Sequence, residues 1–208
     1  MEIKRIVVCG DSFCAAAPTL PGTHFSELLT SKYNYAVVNL SRPGTSNVSI
    51  CFQIEQAIKL NADFVIFANT DVSRIDIPIK SYQSGLGIAN FDSNIYSNTI
   101  PSFINGRSDV IDKFPNYKEL LTAIKYYVNF LFDYGLNAEV NEWMIKYWVS
   151  VLEQKRINYL WINKHPMWDI VNKYVIENSD KIGDCTYHTD SITQVNLADK
   201  VKKYIDNL

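Results

Sequence analysis

Gly10-Asp11-Ser12 closes the apolar run "IKRIVVCG" at 3–10. That position allows two roles for Ser12. Its hydroxyl caps the helix that follows, or it stands as a nucleophile at the mouth of a sheet. A serine hydroxyl is a poor nucleophile at neutral pH and needs an adjacent general base. Histidine is the natural base, with an unperturbed pKa of about 6.5. The chain has three histidines: His24, His165 and His188. His24 heads a short helix and reads as a surface residue or a cap. His165 precedes Pro166 at a strand end, where it either lines a pocket or is structural. His188 lies far from Ser12 in sequence, yet both follow strands, so a fold can bring them together.

The elements that must position them alternate. Strands are predicted at 3–10, 35–41, 63–70 and 157–163, the first and third of them buried, with a short fifth near 181–187. Helices are predicted at 24–33, from Ser46 or Asn47 through Ile58, at about 117–134 and 138–155, at 167–178, and at 191–207. Strands separated by helices imply parallel pairing. Near-continuous apolar strands imply a sheet covered on both faces. The expected fold is a single α/β domain over 1–208, a three-layer α/β/α sandwich. Residues 75 to about 116 break the regularity with glycines, prolines and aromatics. A connection this long is read as a functional cover or as a structural insertion.

Ligands of such sheets bind beyond the carboxyl ends of the strands. The loops there hold Gly10-Asp11-Ser12, Gly44-Thr45-Ser46-Asn47, Asn69-Thr70-Asp71 with Arg74, Lys164-His165, and Asp184 with His188. Arg74 either meets an anionic substrate or pairs with Asp71 or Asp76. Net charge is −2 with no Lys/Arg block, which argues against nucleic acid. No apolar run is long enough to span a bilayer. The first residues read as a strand and not a signal peptide, so a cytoplasmic location is expected. The four cysteines show no metal-ligand spacing and read as buried free thiols. No metal or cofactor is expected.

The motifs "VCGDSF", "VVNLSRPGTSN" and "HTDSITQVNLADKV" resemble the blocks of the SGNH/GDSL hydrolase family. That resemblance implies a flavodoxin-like fold with a five-stranded, mostly parallel sheet, and hydrolysis of esters, thioesters or acetyl groups through a serine. It implies Ser12 as nucleophile, His188 as base, and Gly44 as an oxyanion donor beside the Ser12 N–H. Two departures stand out. In "FANTD" Thr70 occupies the place of the family's oxyanion Asn, with Asn69 one residue early. The place of the triad acid, three before the histidine, holds Cys185. Asp184, four before, is the first candidate acid and Asp190 the second. The third oxyanion donor is Asn69 or Thr70. Asp11, Thr70, Arg74 and His165 are candidate pocket residues.

The expected activity is that of a serine esterase acting on a small-molecule or glycan ester, for instance an O-acetyl group. A catalytically inactive binding module for a glycan or an assembly partner is the alternative. A phosphate or nucleotide binder is third, because Asp11 would repel the phosphate and no glycine-rich fingerprint is present. The oligomeric state is left open.

Overall fold

A computed structural model describes residues 3–16, 21–78, 95–106, 111, 114, 116–162 and 191–208. Four strands form one parallel sheet: β1 (Arg5–Cys9), β2 (Ala36–Asn39), β3 (Phe64–Ala68) and β6 (Asn158–Ile162), in the order β2-β1-β3-β6. Ile6 pairs with Val37 on one side and Phe64 on the other, and Phe64 pairs in turn with Asn158. The fifth strand predicted near 181–187 and the helix predicted at 167–178 lie outside the described residues, as do Lys164, His165, Asp184 and His188.

The alternation of a strand's side chains sorts the core into two layers. Val7, Cys9, Val65, Phe67, Tyr159 and Trp161 face α2 (Asn47–Lys59) and α5 (Tyr134–Gln154). Ile6, Val8, Phe64, Ile66, Leu160 and Ile162 face α1 (Phe25–Ser31) and α6 (Ser191–Asp206). All five residues of β3 are buried, as a central strand covered on both faces requires. This is the three-layer α/β/α arrangement.

Helix starts follow their caps. Ser46 accepts from the Ser49 N–H and begins α2. Asp133 accepts from the Leu136 N–H, so α5 starts at Tyr134, earlier than the predicted 138. The preceding helix, α4 (Tyr117–Phe130), correspondingly stops before the predicted 134. The apolar spacing alone does not register a cap, and Asp133 was the signal for that boundary.

The segment after β3 is more regular than its composition suggests. β4 (Arg74–Pro78) pairs antiparallel with β5 (Ile95–Thr99), Ile75 opposite Asn98. A short helix, α3 (Ile100–Ile104), follows directly. Ile100, Phe103, Phe114 and Ile124 form a separate small core there. Phe103 and Phe114 serve packing within this region, and the β4–β5 pair was hidden because the alternation of Arg74-Ile75-Asp76-Ile77 is only four residues long and β5 carries none.

The described cysteines Cys9, Cys14 and Cys51 are buried free thiols. Burial pushes Cys51 up to about 12 and Cys9 well above the ordinary range, the latter also through its neighbours Cys14 and Cys51. Both remain neutral below the unfolded thiol value of about 8.5, where their contribution to stability is complete. It is lost as pH rises through that value toward the folded one. At about pH 8, native protein should leave Cys51 unmodified by iodoacetamide while unfolded protein is alkylated there, as read by peptide mass spectrometry.

Gly10 is fixed by packing: a Cβ there would lie 2.8 Å from Cys14 Sγ and 2.9 Å from its Cβ. Gly10→Ala should lower the unfolding free energy by about 1–3 kcal/mol in urea titration. An unchanged midpoint would contradict this packing.

Candidate active site

The chain order puts β2 on one side of β1 and β3 on the other, so the connections diverge between β1 and β3. Crevices of parallel sheets open at such a divergence, at the carboxyl ends of the strands. Gly10-Asp11-Ser12 leaves β1 there and Asn69-Thr70 leaves β3.

Asp11 is fully buried. Its carboxylate accepts from the Phe13 N–H (3.0 Å) and from the Thr70 hydroxyl (2.8 Å), and Arg74 Nη2 lies 3.2 Å away. Arg74 Nη1 donates to the Thr45 carbonyl at 3.1 Å. One guanidinium thus joins the loop after β1 to the loop after β2. Arg74 pairs with Asp11, and not with the Asp71 or Asp76 that sequence proximity suggested. Asp71 accepts instead from the Ser73 N–H, and Asp76 from the hydroxyls of Ser46 and Ser49.

Two amides of α2 complete the strand ends. Asn47 donates to the Thr70 carbonyl (2.9 Å) and accepts from the Thr70 N–H (2.7 Å). Gln53 accepts from the Gly10 N–H (2.6 Å) and donates to its carbonyl (3.3 Å). The sequence reading placed Asn47 at the rim without its pairing to Thr70 and missed Gln53. Their signal was present: each is a polar residue on the same helical face as Ile50, Ile54 and Ala57, the face that meets the sheet.

The serine loop is braced from the other side. His24 caps α1 through Nδ1, which accepts from the Ser26 N–H at 3.3 Å and lies 2.8 Å from its hydroxyl. His24 Nε2 is 3.1 Å from the Phe13 carbonyl oxygen, one residue past Ser12. Assigned as the Nε2–H tautomer, the ring satisfies both contacts. His24 is a buried cap, and both its nitrogens are committed to holding the loop. Asn39 donates to the Cys14 carbonyl and the Ser26 hydroxyl.

Within this frame Ser12 is half-buried and its hydroxyl bonds to no described residue. The N–H groups of Ser12 and Gly44 also donate to no described residue, whereas Cys14 and Ala15 both donate to the Asp11 carbonyl. The Arg42 N–H donates to the Gly10 carbonyl at 3.1 Å and seats the Gly44 loop against the end of β1. Gly44 has φ +80°, a conformation costly for a residue with a Cβ.

The two residues competing for the third donor separate here. Thr70's hydroxyl is engaged by Asp11. Asn69 is fully buried, and its carbonyl oxygen accepts from Trp161 Nε1 at 3.0 Å. That contact puts it on the α2/α5 side with Trp161. Its Nδ2 is buried and has no acceptor among the described residues.

The chain matches no family model and no curated protein. Among solved structures it is similar to a protein of the G-D-S-L family from Desulfitobacterium hafniense DCB-2, at 14% identity and TM-score 0.39 over 96% of this chain and 98% of that one. It is similar to the psychrotrophic esterase EstA from Pseudoalteromonas sp., solved as inhibited by monoethylphosphonate, at 12% identity and TM-score 0.41 over 98% and 99%. A third similarity is to TesA, at 11% identity and TM-score 0.41 over 96% and 97%. The class assigned to this chain, parallel α/β/α, rests on its own strand order and two packed faces.

Removing Arg74's charge strands a fully buried carboxylate, whereas losing the Thr70 hydroxyl removes one of several donors. Arg74→Met should therefore cost about 3–5 kcal/mol of stability and Thr70→Val about 1–3 kcal/mol, measured by chemical denaturation. Equal and negligible effects would contradict the network.

Proposed function

We propose that the protein is a serine hydrolase that cleaves a carboxylic ester through an acyl-serine intermediate. The observation that carries this reading is the pair of backbone donors, Ser12 and Gly44, that meet no acceptor among the described residues, on two loops fastened together at the sheet's carboxyl end. Donors held in place before reaction can stabilise a developing oxyanion without reorganising. Ser12 Oγ attacks the ester carbonyl while His188 takes its proton. The tetrahedral oxyanion is held by the Ser12 and Gly44 N–H groups, with Asn69 Nδ2, which has no acceptor among the described residues, as the third. Collapse expels the alcohol, protonated by His188, and water then releases the acid by the same route. Asp184 orients His188 and stabilises the imidazolium.

Support for His188 comes from the element that follows it. α6 begins at Ser191, three residues on, a span of at most about 11 Å of chain. Near the start of α6, Gln194 accepts from the Phe25 N–H at 2.8 Å. Phe25 follows His24, whose ring touches the carbonyl of Phe13. The first turn of α6 is thereby tied to the same brace that holds the Ser12 loop. Asp11, Thr70 and Arg74 act as positioning residues: they hold the loops and are engaged with each other. The substrate is a small-molecule or glycan ester, such as an O-acetyl sugar.

Purified protein should hydrolyse p-nitrophenyl acetate. Ser12→Ala and His188→Ala should each lower kcat by several orders of magnitude with the fold unchanged by circular dichroism. Folded protein without turnover, or with turnover that survives Ser12→Ala, would overturn the reading and favour a binding module.

A further inference from the structure

The long helix α5 buries one face and leaves the opposite one bare. Asn141, Ile145, Val149 and Leu152 are buried against the sheet layer. Leu136, Val140, Trp143 and Tyr147 are instead 60%, 40%, 69% and 61% exposed. Their spacing of four, three and four residues is that of a single stripe meant for another helix. Single exposed apolar residues are ordinary, but a row of four on one face, two of them aromatic, marks an interaction surface.

We infer that this stripe is the contact face of a homodimer, in which α5 of one copy packs antiparallel against α5 of a second across a two-fold axis. Self-pairing is favoured by what the stripe puts opposite itself. With the axis midway between Val140 and Trp143, Trp143 meets Val140 of the second copy and Tyr147 meets its Leu136. Every layer then sets a large ring against a smaller aliphatic side chain. A two-fold axis repeats each contact, so the surface is self-complementary.

The flanking charges point the same way. Glu139 and Lys146 lie seven residues apart on one edge of the stripe, and both are exposed. In the antiparallel arrangement Glu139 of each copy falls beside Lys146 of the other, giving two opposite-charge contacts. A parallel arrangement would carry the Glu139/Lys146 edges to opposite sides of the interface, leaving these charges without each other, and would set Trp143 against Trp143. Lys146 already lies 2.5 Å from Glu142 in its own helix. It can bridge both carboxylates, since an ammonium carries three donors.

The test is sedimentation velocity of the intact chain at micromolar concentrations, with circular dichroism on every variant. The wild type should sediment with twice the chain mass. Trp143→Glu should weaken the dimer about 30-fold or more without loss of helical signal. Glu139→Lys and Lys146→Glu should each weaken it, and the double variant carrying both should recover it. A monomeric wild type overturns the proposal, including one that instead binds anionic lipid vesicles. So does a dimer indifferent to Trp143→Glu, or a charge swap that fails to restore association. None of these outcomes depends on whether the protein hydrolyses esters.

Discussion

A carboxylate with no access to water organises the carboxyl end of the sheet. Asp11 needs its charge balanced and its lone pairs filled. The fold supplies a backbone N–H from its own turn, a hydroxyl from the end of β3, and a guanidinium from the start of β4. Such a buried pair adds little net stability compared with apolar packing. Its effect is geometric. Arg74 reaches from Asp11 to the Thr45 carbonyl, so the loops after β1, β2 and β3 cannot shift independently.

The same economy of contacts explains which groups are left available. Backbone groups at strand ends lose their ladder partners and must find others. Gln53 supplies both for Gly10, and Asn47 both for Thr70. His24 and Asn39 hold the far side of the serine turn through the carbonyls of Phe13 and Cys14. Beside these satisfied groups, the N–H groups of Ser12 and Gly44 donate to no described residue.

The layered fold was legible because its signals are local and periodic. Continuous apolar runs at β1, β3 and β6 register burial on both faces, and the spacing of Ile50, Ile54 and Ala57 registers a helix lying on the sheet. Helix ends were less legible, since they depend on single caps such as Asp133. The β4–β5 pair escaped because the alternation of Arg74-Ile75-Asp76-Ile77 is short and β5 has no matching pattern to announce its partner. In the site, the motif positions of Ser12 and Gly44 were readable. The engagement of Thr70, Arg74 and Asn69 was not, because a hydroxyl, a guanidinium or an amide has several partners within reach and only the three-dimensional register selects one. Arg74 shows this most plainly: Asp71 and Asp76 are its sequence neighbours, yet its partner lies more than sixty residues away.

The central claim is that the hydroxyl of Ser12 is chemically activated. The most direct measurement is the intact mass and peptide map of folded protein treated with a fluorophosphonate. The account predicts one covalent adduct per chain, located on Ser12 and absent after heat unfolding before treatment. Folded protein that carries no adduct, or carries it on another residue, would contradict it.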